Sequence, residues 1–402
     1  MLTMIHANPA HIIDGRLRVD RKFHLGMLSN VQKVEAQIVT VHWDDGGEGQ
    51  IMDPVEVPLD KLGYGVMTVK VNRHGMPEPQ ELERLRSQIA RSRVMYGNAL
   101  GSVSIARELG VPYVMFIEYD LKTQISVATS EVKSPVRKAV RMLRCALNYA
   151  LNQVPEMRNA ISLHCNGYPI FDESRRFNDN RLLYLDSRMT RDFVISEEDL
   201  AARLENRHRR PLRLLYSGRY AAMKGANHAV KVGLECIKLG IDIEMHCYGQ
   251  GDLKQEMQAL AAEASGKARI FIHDAIPYPE LVELSRTFDI FVCCHVQADP
   301  SCTYLESFGA GLPIVGYNNR MWKRLSEESG VGFFSPIGEP KLVAEGIYKL
   351  AMQNDLLVSM SHKARNFALE HCFEKEFELR TEAINAALAS TPARNRIVQQ
   401  AI

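Results

Sequence analysis

Short apolar runs alternate with helix-period stretches along almost the whole chain. In the first half, residues 36–43, 67–72, 94–97, 112–117 and 160–164 are aliphatic and bounded by turn residues, so each predicts a buried strand. Apolar positions three and four apart at 79–92 and 136–151 predict helices between them. The pattern then breaks at Asn206-Arg207-His208-Arg209-Arg210-Pro211, a short basic connector. A second series follows, with strands expected at 212–216, 243–248, 269–272, 289–293 and 313–316. Strand–helix alternation of this kind predicts an α/β protein with parallel sheets. The expected organisation is a first Rossmann-like domain over 1–205, a second over 206–373, and a C-terminal helical segment over 374–402.

Length agrees with that division, because 402 residues exceed what one ordinary core holds. Hydrophobic residues make up 46% and charged residues 24%, as in globular proteins, and no run of about eighteen apolar residues occurs to span a bilayer. A net charge of +1 argues against a general nucleic-acid binder. The start, Met1-Leu2-Thr3-Met4-Ile5-His6, has neither the basic region nor the apolar core of a secretory leader. Eight cysteines at 145, 165, 236, 247, 293, 294, 302 and 372 lack paired metal spacing and read as reduced thiols of a cytoplasmic protein.

Candidate chemistry concentrates in the second half. In Asp299-Pro300-Ser301-Cys302-Thr303-Tyr304-Leu305-Glu306, Asp299 is a good helix cap and Pro300 suits the first helical position. Free amides at Ser301, Cys302 and Thr303 would then face an anion, with the Glu306 carboxylate one and a half turns further on. Gly309 and Gly311 end the helix, and 312–315 returns to the sheet. Earlier, Ser217-Gly218-Arg219-Tyr220-Ala221-Ala222-Met223-Lys224-Gly225 follows a buried strand and opens a helix. Arg219 and Lys224 would stand at the carboxyl end of the sheet, where open α/β proteins bind ligands; a solvated basic loop is the other reading. The loops Tyr248-Gly249-Gln250-Gly251-Asp252 and Ile272-His273-Asp274-Ala275-Ile276 occupy the next strand ends, and each alone is an ordinary turn.

From about 213 to 318 the chain resembles the nucleotide-binding domain of family 4 retaining glycosyltransferases, which have the GT-B fold. The residues that carry the likeness are Gly218-Arg219…Lys224-Gly225, Gly249-Gln250-Gly251, and Glu306-Ser307-Phe308-Gly309-Ala310-Gly311-Leu312-Pro313. The resemblance implies two Rossmann-like domains facing a cleft. It implies that Arg219 and Lys224 hold a donor diphosphate, that amides at Ser301, Cys302 and Thr303 cap its phosphate, and that Glu306 accepts from the ribose. It places Gly249, Ala275 and Ile276 beside the ribose and base. Gly15, in Asp14-Gly15-Arg16, takes the place of a family glycine loop that approaches the phosphate.

Two positions depart from the family. Where it often carries a glutamate seven residues before Glu306, this chain has Ala298, followed by Asp299. Asp299 either makes the sugar contact or only caps the helix. Where a strand of the first half often ends in an active-site histidine, this chain has Glu118. Glu118 and Asp299 are thus the catalytic candidates, with no protein nucleophile assigned. His6, His24, His42 and His164 lack ligand spacing and read as surface or core histidines.

The expected activity is transfer of a hexosyl group from a nucleotide-diphosphate-sugar to a saccharide, lipid-linked or other hydroxyl acceptor, with retention and without metal or cofactor. A nucleotide-sugar epimerase of the same fold and a degenerate sugar-nucleotide-binding protein are the alternatives. Lys133–Leu151 sets Lys133, Arg137, Lys138, Arg141 and Arg144 largely on one helical face and Val136, Val140, Leu143 and Leu147 on another. It reads either as a peripheral contact with anionic lipid through Lys133–Arg144 or as the solvated face of a core-packed helix. The basic run Arg16–Lys22 likewise touches an anionic acceptor or is simply a loop.

Overall fold

A computed structural model describes residues 1–392 except 36, 45–50, 52, 73, 131 and 264–268. Ala36, the expected first residue of one strand, and 393–402 of the expected C-terminal segment lie outside the described residues.

The first half builds a seven-stranded, all-parallel sheet in the order Arg181–Tyr184, Ser162–Asn166, Tyr113–Ile117, Val94–Gly97, Leu2–Pro9, Ile38–Asp44, Gly65–Lys70. Leu2–Pro9 is central: Leu2, Met4 and Ile5 are fully buried, as befits a strand covered on both faces. A small antiparallel sheet of His11–Ile13, Arg16–Asp20 and Pro54–Pro58 projects from its end. The second half builds a six-stranded parallel sheet in the order Arg269–His273, Ile243–Tyr248, Leu212–Ser217, Ile290–Cys293, Ile314–Tyr317, Phe333–Ser335.

In chain order that second sheet runs 3-2-1-4-5-6, so its winding reverses between Leu212–Ser217 and Ile290–Cys293. Loops that leave the two strands on either side of such a reversal diverge and open a crevice at the carboxyl edge. Here they are 218–225 and 294–302. They remain tied at the base, where the Val296 amide donates to the Met223 carbonyl at 3.1 Å. Gly225 has φ +58°, and a Cβ there would stand 2.0 Å from the Cys294 carbonyl oxygen, so only glycine lets the loops meet.

Several contacts among the described residues join the halves. Arg320, at the start of helix Arg320–Ser329, forms a two-pronged ion pair with buried Asp120, whose Oδ1 also caps helix Leu121–Thr129 through the Thr123 amide at 2.9 Å. Lys22 pairs with Asp186, with Cys302 Sγ 3.6 Å from its ammonium. Helix Phe373–Ser390 then crosses back onto the first sheet. Its Ile384, Ala387 and Leu388 join a core with Leu2, Met4 and Val94, and Thr381 Oγ1 donates to Asn30 Oδ1 at 2.6 Å.

Helix Glu197–Asn206, which precedes the basic connector, lies on the second half. Its Arg203 guanidinium donates to the carbonyls of Ala310 at 2.7 Å and Gly311 at 2.8 Å. The basic run Arg16–Lys22 is largely satisfied within the protein: Arg21 pairs with Asp53, Arg16 with Glu56, and Lys22 with Asp186.

Candidate active site

The two crevice loops bring Lys224 and Asp299 together. Lys224 Nζ donates to Asp299 Oδ2 at 2.5 Å, and both residues are buried. This pairing changes the expected helix start. Asp299 does not cap a helix: the helix runs Thr303–Gly309 with Cys302 at its cap position. A buried carboxylate gains more from an adjacent ammonium than from a cap bond, so the side chain turns inward. The Ser301 amide is likewise turned back, donating to the Asp299 carbonyl at 2.9 Å, and is not free for an external phosphate.

Burial alone would raise the Asp299 pKa, but Lys224 and then His295 hold it below the ordinary carboxylate value. His295 is almost fully buried beside them, and burial together with the Lys224 charge pushes its pKa down to about 3, so its imidazole is neutral at pH 7. His295 Nδ1 and Asp299 Oδ1, 3.9 Å apart, have no hydrogen-bond partner among the described residues. Buried polar atoms are normally satisfied, so this pair is suited to a ligand hydroxyl reaching between them.

Arg219 projects from the first crevice loop into solvent; its contact within the protein is with Met223 Sδ at 3.6 Å. Its charge opposes the rise in the Tyr119 pKa caused by burial, Glu118 and Asp299, which places it facing the first half. Glu118 and Tyr119 follow strand Tyr113–Ile117 at its carboxyl end. The Glu118 carboxylate is open to solvent yet enclosed by protein around it. That enclosure, with Asp186 next and Asp299 weaker, raises its pKa against the opposing Lys22 and Arg380 charges. Asp186 has the opposite balance: burial is outweighed by Lys22, and it stays ionised below the usual range. The junction between the sheets therefore presents alternating charges: Arg219, Lys224 and Lys22 against Asp299, Asp186 and Glu118.

Glu306 sits one step away and is already engaged. Arg188 Nε and Nη2 donate to its Oε1 at 3.0 and 2.9 Å, while the guanidinium lies over the Tyr278 ring at 4.2 Å. Cys302 faces Lys22 and Asp186, and burial pushes its thiol pKa up to about 12. Thr303 Oγ1 accepts from Ser301 Oγ at 3.0 Å.

The remaining candidates serve packing or stand apart. Gly249 passes so close to Gly218 that a Cβ would lie 1.9 Å from its carbonyl oxygen, and the Tyr220 amide bonds the Gln250 carbonyl at 2.8 Å. The Gly-x-Gly loop is therefore required where two strand-end loops run side by side. Ala275 is exposed and Ile276 half-buried on the neighbouring loop, beyond Asp274, which pairs with Lys254 at 2.5 Å. Gly15 is at an exposed hairpin tip: Asp14 and Gly15 have φ +49° and +71°, the geometry of a two-residue turn between His11–Ile13 and Arg16–Asp20. Its positive φ answers the hairpin, and no contact joins it to Lys224, Asp299 or Glu306 among the described residues.

Sequence reasoning missed Asp186, Arg188 and His295, and took Lys22 only as part of the basic run Arg16–Lys22. Lys22 sits in a segment that looks like a solvated basic stretch and Arg188 in one of mixed charge without periodicity, and only the tertiary fold turns them inward. His295 carried a weak signal, four residues before Asp299 and directly after a buried strand.

Residues 199–367 match the family model described as Glycosyl transferases group 1. The alpha-D-kanosaminyltransferase of Streptomyces kanamyceticus is 22% identical over 353 residues, covering 78% of this chain and 87% of that protein. The 2-deoxystreptamine glucosyltransferase of the same organism is 28% identical over 102 residues, 25% of this chain and 26% of that relative's length. Among solved structures, Anabaena HepE in complex with UDP and glucose superposes with a TM-score of 0.64 at 12% identity, covering 97% of this chain and 99% of that one. The chain thus has the GT-B fold of its structural neighbours, and its residues 199–367 are similar to glycosyl transferases group 1.

Proposed function

We propose that the protein transfers a hexosyl group from a nucleotide-diphosphate-sugar to a hydroxyl acceptor, with retention of anomeric configuration. The observation that carries this reading is the buried Lys224–Asp299 pair at the winding reversal of the second sheet, with Arg219 free beside it. A cation held in place by a carboxylate is oriented before the ligand arrives, and an oriented cation lowers the energy of a departing diphosphate without reorganising. Arg219 would grip two phosphate oxygens and Lys224 act as a point charge, so the diphosphate leaves neutralised by side chains rather than by a metal. A uridine diphosphate donor is favoured because HepE, of the same fold, is described with UDP and glucose. Asp299 Oδ1 and His295 Nδ1 would take a donor-sugar hydroxyl. Glu118, whose pKa burial and Asp186 raise, would orient the acceptor hydroxyl from the opposite half. The glycosidic bond then breaks through an oxocarbenium-like state, and the acceptor enters on the face the phosphate leaves.

A second reading, a sugar-nucleotide binder without turnover, is favoured by Ala298 and Glu118 standing where the resemblance often has a glutamate and a histidine. Calorimetric titration with UDP and UDP-glucose, followed by release of UDP with and without chelator, separates the two. Binding with UDP release that persists in chelator supports metal-free transfer; binding without release supports the binder. Absence of binding by any nucleoside diphosphate or its sugar conjugate removes both.

A further inference from the structure

Helix Pro135–Asn148 and its π-helical continuation Tyr149–Gln153 form the most exposed element of the first half, and none of residues 135–148 is buried. Val136 is 72% exposed, Val140 61%, Leu143 61%, Leu147 50% and Leu151 69%. Steps of four, three, four and four residues set these side chains in one stripe along the helix. The helix is held from another side, against helix Leu121–Thr129, where Arg141 Nη1 donates to the Ala128 carbonyl at 2.9 Å. Its apolar face is therefore not turned to the core. A helix of a water-soluble domain ordinarily buries such a stripe, and a contiguous exposed apolar patch marks a contact surface.

The charge around the stripe identifies what it contacts. Lys133, Arg137, Lys138, Arg141 and Arg144 are all exposed, and none has an ion-pair partner among the described residues. No acidic residue occurs from Val132 to Pro155, in a chain whose net charge is only +1. Arg137 and Arg144 border the stripe on its flank, where long stems lie along apolar surface while the guanidinium reaches outward. A second copy of this helix would bring cation against cation, with no carboxylate in the segment to answer them.

We propose that this helix docks the protein on a bilayer containing anionic lipids, lying in the plane of the interface. The Val136–Leu151 stripe enters the headgroup–acyl boundary and Arg137 and Arg144 meet lipid phosphates. No helix among the described residues is long and apolar enough to cross a membrane, so the contact is peripheral. The inference rests on surface chemistry alone and stands independently of the transferase reading.

The test is flotation of the full chain with phosphatidylcholine vesicles, with and without phosphatidylglycerol, at low and high salt. The protein should float with the anionic vesicles only, and less so in high salt as the charges are screened. The Leu143→Glu/Leu147→Glu double variant should reduce the bound fraction about tenfold, with an unchanged melting temperature because both sites are solvent-exposed. Arg137→Gln/Arg144→Gln, which keeps the stripe, should reduce binding to anionic vesicles in the same way. Failure to float with anionic vesicles, or flotation of either double variant equal to that of the unsubstituted protein, overturns the proposal. So does a concentration-dependent dimer abolished by Leu143→Glu/Leu147→Glu, which would assign the stripe to a second copy.

Discussion

Lys224 and Asp299 come from loops 75 residues apart in sequence and meet at 2.5 Å where the second sheet reverses its winding. The ammonium thus has two duties, since it neutralises a buried carboxylate and faces the crevice. Lys224→Ala should cost stability as well as ligand affinity, because it strands Asp299 in a buried position. A loss of about 3 kcal/mol is expected, the usual size for breaking one side of a buried pair. Asp299→Asn should cost less and keep the lysine. Urea unfolding of both variants checks this; equal, small losses would show that the pair does not hold the loops.

Glu306→Gln should weaken uridine as well as UDP by about tenfold, equivalent to one charge-assisted hydrogen bond of ~1.4 kcal/mol. Arg188→Ala should act in the opposite direction on the nucleoside by releasing the carboxylate. Titration calorimetry with uridine reads both, and an unchanged uridine affinity in Glu306→Gln removes the ribose role.

Acid should destabilise the fold through its buried histidines. Burial lowers the pKa of His42 to about 4, and that of His164 and His295 to about 3, with Arg380 adding to the effect at His164 and Lys224 at His295. Unfolded histidine binds a proton near pH 6.5. Below that value the unfolded state holds more protons, so stability present above pH 6.5 is lost as pH falls toward the folded pKa values. Each of the three can remove up to ~2 kcal/mol by pH 5. Melting temperatures measured from pH 7.5 to pH 5 should fall steadily, and His164→Leu should flatten the slope. A flat profile would contradict the buried, neutral state of these rings.

Asp120→Ala should destabilise more than Arg320→Ala. The aspartate both pairs with Arg320 across the halves and caps its own helix through Thr123, whereas the guanidinium is 42% exposed and retains water. About 2–3 kcal/mol against about 1 kcal/mol is expected. Chemical denaturation resolves the difference, and equal losses would mean that the cap bond contributes nothing.

Strands with aliphatic runs were legible from the sequence almost to the residue: 94–97, 113–117, 212–217 and 243–248 follow from burial on both faces. Arg181–Tyr184 and Phe333–Ser335 were not, because four- and three-residue edge strands carry too few positions for periodicity. Arg219 and Lys224 were placed at a strand end by the apolar run and glycines that flank them. The helix at 299 was misread because capping is a local preference, and a buried ammonium from a distant loop outweighs it. Likewise the stripe at 136–151 reports a helix but not which way it faces; that depends on the docking of Leu121–Thr129 beside it. Arg188 and Asp186 lie in a stretch with no periodic signal, and their partners are more than a hundred residues away.

The crossing of helix Phe373–Ser390 onto the first sheet has a consequence for synthesis of the chain. Leu2 and Met4 leave the ribosome long before Ile384, Ala387 and Leu388, which seal the same core. Among the described residues the second half has its strands by Ser335 and can close while translation continues, whereas the half made earlier must wait, partly uncovered, for helix Phe373–Ser390. A nascent chain stalled before residue 373 should therefore hold a protease-resistant second half beside a sensitive first one.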